Sequence, residues 1–286
     1  MAPEDVNTPR RFLSRFAPVT ALAVASLFLV QCERKPEPAP QPAPPAAEPA
    51  PPPKPIVVAP PPPLGRADIL AALAGSAAAY AAGEAPSADP LAGRAFAIRL
   101  PFGCGGPATD AAPEGLAQWA WGPKQETIKL SLTPADWSKS PLIAAAEGET
   151  PWETAEGFWI ARPWMTAETC PAAFGSAAPD GAAPASPQTA GLVAVFDAKD
   201  SRFGRRNGRA YSFTVRPSGE TPLTLPDRGY RVVLEGRLGA FPDGRAIRCR
   251  ADGPDQRPVC VAAVQLDRVA FEDGASGAVL SEWRKG

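Results

Sequence analysis

Apolar and polar residues alternate along most of the chain after residue 94, and this period of two is typical of β-strands that bury one face. The alternation is clearest in the stretches "YRVVLEGRL" and "VCVAAVQLDRVAF". The pattern predicts strands at residues 95–100, 116–121, 126–132, 157–161, 191–197, 210–216, 230–238, 246–250 and 259–271.

One segment before these strands has helical spacing instead. Ile69, Leu73, Ala77 and Tyr80 recur at intervals of three or four, and Gly83 follows as a residue that ends helices. The spacing therefore predicts a single helix from about residue 67 to 82.

Many short strands separated by turns, such as the one at Asn207 and Gly208, predict a mainly β fold with one N-terminal helix (α+β). We expect an antiparallel sandwich or barrel over residues 65–286. The small and polar residues of segment 171–191 predict either a surface loop or a boundary between two subdomains.

The N-terminal pattern differs from the rest. Three arginines at positions 10–15 precede an apolar run from Phe16 to Val30, which is typical of a secretory signal peptide over residues 1–32. At roughly fifteen residues the run is short for a spanning helix, which needs about twenty. An uncleaved anchor and an ordinary secreted protein are the alternatives. A signal peptide or an anchor would place everything after Cys32 outside the cytoplasm, because the positive flank stays inside.

Proline, with 38 residues in a chain of 286, is concentrated in segment 33–64. Proline fixes φ and lacks an N–H, so this segment favours polyproline II and cannot form a packed core. At ~3.1 Å per residue, its proline- and alanine-rich run from Pro36 to Pro63 would act as a tether that spans roughly 90 Å.

Residues Leu29 to Cys32, "LVQC", resemble the lipobox of bacterial lipoprotein signal peptides. The resemblance implies that Cys32 is acylated and attaches the chain to a membrane. The next residue is Glu33 rather than the aspartate that retains such lipoproteins in the inner membrane, so the resemblance favours the outer membrane. The layout of an N-terminal anchor followed by a proline-rich spacer is also similar to that of TonB-type energy transducers.

Four cysteines remain when Cys32 is assigned to the lipid, and an even number in an oxidising compartment predicts two disulfides. Cys249 and Cys260 flank a turn between two predicted strands, so a hairpin would place them opposite each other. Cys104 and Cys170 then pair by elimination. A zinc site is the alternative for these cysteines, but the sequence has neither histidine nor CxxC spacing, and we expect no metal.

Six of the seven tryptophans lie between Trp119 and Trp164. Tryptophans on alternating strand positions usually pack in a core, and that is the interpretation we favour. Trp119 and Trp121 share one face of a predicted strand, so an exposed pair would instead form a platform for stacking on a sugar ring or a muropeptide.

The segment "RFGRRNGR" carries four arginines around Phe203, and it is interpreted as a solvated hairpin tip or as a binding loop. A binding loop would contact phosphates or carboxylates of lipopolysaccharide or peptidoglycan through bidentate hydrogen bonds. The four candidate ligand-binding residues are Arg202, Arg205, Arg206 and Arg209.

Composition excludes several functional classes. The net charge of −1 gives no general attraction to nucleic acid, and export argues against that partner as well. Histidine is absent, which removes the commonest general base and metal ligand. No catalytic residue and no cofactor motif is identified.

The sequence therefore predicts a non-enzymatic binding or structural module of the cell envelope that faces the periplasm. It would be held by an N-terminal lipid or anchor, with peptidoglycan or lipopolysaccharide as candidate partners. The alternatives are a carboxylate-dependent hydrolase of envelope polymers and an anchored, TonB-like protein that spans the envelope.

The lipoprotein interpretation predicts that cells incorporate labelled palmitate into the wild-type chain but not into the Cys32→Ser variant, because the lipid is attached at this cysteine. The measurement is the label in the purified protein from each strain. Wild-type protein that stays in the membrane fraction without label would contradict acylation and favour an uncleaved anchor.

Overall fold

The computed structural model describes residues 59–84, 90–109, 113–144, 152–171, 186–197, 202–219, 223 and 226–285. All of them belong to the compact unit Val58–Gly286. The predicted signal peptide, the acylation site Cys32 and most of the predicted tether lie outside the described residues.

The predicted helix is present as α1 (Arg66–Ala81), shifted by one residue. It buries Ile69, Leu70 and Leu73, and its first turn is closed by Asp68, whose Oδ2 accepts the N–H of Gly65 at 2.8 Å. Among the described helices, none is long and apolar enough to cross a membrane.

The fold is mainly β, as the alternation predicts. The strands are β1 (Ala95–Phe102), β2 (Ala117–Trp121), β3 (Ile128–Leu132), β4 (Ala135–Asp136), β5 (Thr154–Trp159), β6 (Ala190–Phe196), β7 (Tyr211–Val215), β8 (Tyr230–Leu238), β9 (Ile247–Arg250), β10 (Val259–Asp273) and β11 (Val279–Arg284).

Eight strands form the larger sheet, in the order β1-β8-β10-β6-β5-β4, with β9 and β11 also paired to β10. The smaller sheet has the order β2-β3-β7. In the described part of the chain these sheets form an open arrangement rather than a closed barrel. Strands from both sides of segment 171–191 belong to the larger sheet, since β5 pairs with β6 and β1 pairs with β8.

The structure differs from the predicted strands in three respects. Strand β5 begins three residues before the predicted 157–161, and neither β4 nor β11 is predicted. The larger sheet is also mixed, because β6 runs parallel to β10 over Ala190–Ala194. Pairing between strands so far apart along the chain depends on tertiary packing, which local alternation does not encode.

The main core lies between the two sheets and α1, and it includes Ile69, Ile98, Leu130, Tyr211 and Leu234. A second apolar cluster covers the opposite face of the larger sheet around Trp137, Ile143 and Phe241. Successive strand residues point to opposite faces, so β5, β6 and β10 contribute to both clusters.

The last residues of the predicted tether lie along the edge of the larger sheet. Leu64 donates its N–H to the carbonyl of Ala95 and accepts the N–H of Ala97, both at 2.9 Å. The prolines at 60–63 that precede it cannot donate hydrogen bonds. The tether therefore joins the domain at the start of β1 and shields part of that edge from pairing with another strand.

The packing of Trp137 against β5, in the second apolar cluster, can be tested by substitution of the glycines. A Cβ added at Gly157 in β5 would overlap the Trp137 ring, whereas one added at Gly75 in the middle of α1 would meet nothing within 4 Å. We expect Gly157→Ala to destabilise the protein by about 1–3 kcal/mol through overpacking. Gly75→Ala should stabilise it by about 0.5–1 kcal/mol, because alanine favours the helix.

The measurement is the free energy of unfolding from denaturant titration of the full chain. Equal stability of the two variants would show that the Trp137 ring does not lie against β5 as described.

Candidate functional site

The arginine-rich loop, residues 202–209, connects β6 to β7 and consists of two tight turns. Arg205 donates its N–H to the carbonyl of Arg202, and Arg209 does the same to Arg206, both at 3.1 Å. Asn207 and Gly208 have φ of +53° and +76°, so the turn that the sequence predicts at these two residues is confirmed.

A buried carboxylate fixes the backbone of this loop. Glu156 of β5 is 4% exposed, and its Oε1 accepts the N–H groups of Arg206 and Asn207, both at 2.7 Å. Its Oε2 is buried and has no hydrogen-bond partner. Burial raises the pKa of Glu156, although the two N–H donors and the charges of Arg205 and Arg206 oppose that rise.

Tyr211 holds the other side of the loop. Its buried hydroxyl donates to the carbonyl of Gly204 at 2.6 Å, and the Arg206 guanidinium lies 4.6 Å from the centre of its ring. Burial raises the pKa of Tyr211 well above its ordinary value. Arg206 also donates to the carbonyls of Arg209 and Ala210, at 3.2 and 2.8 Å, so its guanidinium serves the loop itself.

Arg205 is likewise engaged. Its guanidinium lies 2.9 Å from Glu153 Oε1 and donates to Asn207 Oδ1 at 2.7 Å, and its side chain is 15% exposed. The hydrogen bond from Arg205 is the main reason that the pKa of Glu153 is lowered. Glu153 and Glu156 together offset half of the positive charge of the four arginines.

Two arginines of the loop remain accessible. The Arg202 side chain is 65% exposed and lies 3.5 Å from Glu153 Oε2, a contact that solvent weakens. Arg209 is exposed, and its Nε donates to the carbonyl of Arg206 at 3.2 Å. Arg202 and Arg209 are therefore the members of the predicted set that are placed to contact a ligand.

A cleft adjoins the arginine-rich loop. Strand β10 pairs with β6 as far as Val264 and with β11 from Arg268 onward. Between these two paired stretches, residues Gln265–Asp267 of β10 border a cavity of about 170 Å³. Its apolar walls include Phe196, Phe203 and Leu266, and its polar rim includes Gln265, Asp267 and Lys285. Phe203 belongs to the arginine-rich loop, so the loop forms one wall of the cleft.

The structure agrees with the favoured interpretation that Trp119 packs in the core, and it contradicts the alternative in which Trp119 and Trp121 form an exposed, ligand-binding platform. Trp119 is 1% exposed, and its ring packs edge to face against Trp121 at 5.6 Å and Tyr230 at 6.2 Å. Trp121 is half-buried against the same core. Burial also raises the pKa of Tyr230 to about 12. The two tryptophans share a strand face, as predicted, but that face is turned inward.

Both predicted disulfides are present. Cys104 pairs with Cys170, and Cys249 pairs with Cys260 at directly opposed positions of β9 and β10. The two bridges are compatible with an oxidising compartment outside the cytoplasm. No group of three or more histidine, cysteine, aspartate or glutamate side chains among the described residues could hold a metal ion.

Glu153, Glu156 and Tyr211 are the parts of this site that the sequence pattern does not reveal. Glu156 lies on a strand whose predicted start, residue 157, excludes it. The available signal is an acidic residue within the apolar run "TAEGFWI", since a buried carboxylate in a strand needs hydrogen-bond donors.

Comparisons with protein-family models, curated proteins and solved structures found no match to this chain.

Glu156 and Glu153, the two carboxylates that contact the arginine-rich loop, should make the free energy of unfolding depend on pH in opposite ways. The pKa of Glu156 is raised in the folded protein, so its contribution to stability is full below the pKa of the unfolded chain and is lost as pH rises through the folded pKa. Glutamine cannot titrate. The free energy of unfolding of wild type minus that of Glu156→Gln should therefore fall as pH rises above about 4, the ordinary pKa of a glutamate.

Glu153→Gln is the matched control. The pKa of Glu153 is lowered, so its contribution is present above the unfolded pKa and is lost as pH falls. The difference between wild type and Glu153→Gln should instead rise with pH up to about 4, the ordinary pKa of a glutamate, and stay level above it. Parallel curves for the two variants would contradict the burial of Glu156 beneath the loop.

Proposed function

We propose that this chain is an envelope-tethered, non-enzymatic binding module whose arginine-rich loop binds anionic groups of an envelope polymer. The single observation that carries the proposal is the arrangement of the loop. Its backbone is fixed by Glu156, while Arg202 and Arg209 stay exposed beside a cleft. A fixed backbone lowers the entropy lost on binding, and guanidinium groups match carboxylates and phosphates.

The N-terminal sequence and the disulfides support the envelope location. A signal peptide, an acylated Cys32 and a proline-rich tether would place the domain in the periplasm, with the outer membrane favoured by Glu33. Two disulfides suit that oxidising space.

The ligand chemistry is a carboxylate or phosphate, and two polymers of the envelope carry such groups. Peptidoglycan presents peptide carboxylates, and lipopolysaccharide presents phosphates. Bidentate contacts from Arg202 and Arg209 would serve either polymer. Purified sacculi and lipopolysaccharide aggregates are therefore separate arms of the binding experiment.

The double variant Arg202→Glu/Arg209→Glu tests the proposal. Because both side chains are exposed, the change should leave folding intact and lower retention of the full chain on one of the two polymers by about tenfold or more. Rising salt should weaken wild-type retention, since exposed charges are screened. The measurement is the bound fraction after sedimentation with each polymer.

Arg250→Glu is the matched control, because that arginine is 51% exposed on β9 and pairs only loosely with Asp252 at 3.7 Å. It should bind as the wild type does. Retention of the double variant equal to that of wild type on both polymers would remove the loop from the binding function.

A hydrolase of envelope polymers is the second candidate, and the raised pKa of Glu156 is the observation that favours it. Glycoside hydrolysis needs a second carboxyl at a defined separation and access to the substrate, whereas Glu156 is buried beneath the loop. Soluble fragments released from sacculi by wild type but not by Glu156→Gln would favour the hydrolase.

A further inference from the structure

Trp164 is exposed, unlike the other tryptophans of the described chain. It is 64% exposed, and only Tyr80 and Val279 join it among the exposed large apolar side chains of the described residues. The remaining tryptophans are buried or half-buried. An exposed indole leaves a large apolar surface in water, so its position calls for a physical reason.

The turn that carries Trp164 is short and closed. Met165 donates its N–H to the carbonyl of Arg162 at 2.9 Å, so Pro163 and Trp164 are the two central residues of a four-residue turn. Arg162 has φ of +52°, a conformation that is unfavourable for a residue with a side chain. Trp164 therefore lies at the apex of a strained turn rather than on an adaptable loop.

A buried arginine holds this turn from within. Arg66, the first residue of α1, is 1% exposed and donates to the carbonyls of Ala161, Arg162 and Met165 at 2.8, 3.2 and 3.0 Å. No described carboxylate lies within ion-pair distance of it, and burial lowers the pKa of Arg66 to about 10. Burying a guanidinium is expensive, and here the nearby charge of Glu168 offsets only part of that cost. Within the turn, Arg162, Pro163 and Met165 are half-buried and Trp164 alone is exposed.

A second set of contacts fixes the flanks of the turn. Arg162 Nη2 donates to the carbonyl of Pro101 at 2.9 Å and lies 3.0 Å from Cys104 Sγ. The disulfide from Cys104 to Cys170 ties the far end of the same segment. The segment from Ala161 to Cys170 is thus held at both ends and in the middle.

The surroundings of Trp164 favour a sugar ring over a protein partner. A protein interface needs a broad apolar centre, but the neighbouring exposed residues are Thr166 and Ala167, which are small. Further along the segment, Glu168 forms a half-exposed ion pair with Arg99 at 3.7 Å. A single aromatic ring flanked by hydrogen-bonding groups matches a pyranose, which has an apolar C–H face and a rim of hydroxyls.

We propose that Trp164 is a sugar-stacking residue that binds a pyranose ring of a β-linked, N-acetylated glycan strand. This inference rests on the proposed function of the chain as an envelope-tethered binding module, and it adds a glycan-binding residue outside the arginine-rich loop.

The test uses chitotetraose, a soluble and uncharged oligomer of N-acetylglucosamine, titrated into the full chain in detergent by calorimetry. Trp164→Ala should weaken binding at least tenfold, and Trp164→Phe should retain most of it, because a smaller ring still stacks. The matched control is Tyr80→Ala, which removes another exposed aromatic ring and should bind as wild type. Unchanged thermal unfolding would show that each variant is folded.

Binding by Trp164→Ala equal to that of wild type would overturn the inference, as would the absence of wild-type binding at 10 mM or so of the oligomer. The uncharged probe separates this result from the arginine-rich loop. Loss of retention on sacculi in Arg202→Glu/Arg209→Glu, with unchanged chitotetraose binding in Trp164→Ala, would leave the proposed function standing without the sugar-stacking role.

Discussion

The backbone hydrogen bonding of β10 is the constraint on which the rest of the structure depends. Its first half pairs with β6 and β9 and its second half with β8 and β11, so one strand holds the larger sheet together. The register shift between Leu266 and Arg268 lets the partners change along its length. Gly236 of β8 lies against this bulge, where a Cβ would overlap the Gln265 carbonyl. The cleft beside the arginine-rich loop lies where β10 changes partner: its pairing with β6 ends at Val264, and the next backbone contact on that side is the N–H of Lys285 to the carbonyl of Asp267 at 3.0 Å.

Two buried charges fix the two candidate binding loops, and the sign of each charge matches the backbone groups that it meets. Glu156 is an acceptor and binds the N–H groups of the arginine-rich loop. Arg66 is a donor and binds the carbonyls of the turn that carries Trp164. The backbone of a loop has no neighbouring strand to form hydrogen bonds with, so one buried side chain with several donor or acceptor atoms can satisfy several of its N–H or carbonyl groups. In both cases the charged side chain that fixes the loop is buried, and the side chains proposed to contact a ligand are exposed.

Strong local periodicity explains which parts of the fold could be predicted. The alternation in β8 locates it at Tyr230–Leu238, the observed bounds, and hairpin geometry pairs Cys249 with Cys260. Strand β11 lacks such a signal because it lies at the edge of the sheet, with exposed residues along its length. It is stabilised by pairing with β10 rather than by its own pattern.

Partners that are distant in sequence explain why the site could be predicted only in part. The cluster of arginines at 202–209 is visible in the sequence, but its partners Glu153 and Glu156 lie about fifty positions earlier. Local pattern therefore cannot show that Arg205 and Arg206 serve the loop while Arg202 and Arg209 remain exposed. For Trp119 and Trp121 the shared strand face and the favoured core position are both right, but the alternation alone leaves the exposed alternative open until the packing of β2 against the main core is known.

The two candidate binding loops lie at opposite ends of β5, which bears on how the domain would hold a polymer. Glu153 and Glu156, which contact the arginine-rich loop, lie at its start, and the turn with Trp164 follows its end. At ~3.3 Å per residue, the stretch from Glu153 to Ile160 separates the two loops by roughly 20 Å. A glycan strand is a repeating ligand, so under the proposed function a strand longer than this separation would reach both loops. The second contact would then form at high effective concentration, and two individually weak sites would give firm retention. The buried anchors of both loops would serve such binding directly, because the gain from two linked contacts is lost when their spacing fluctuates.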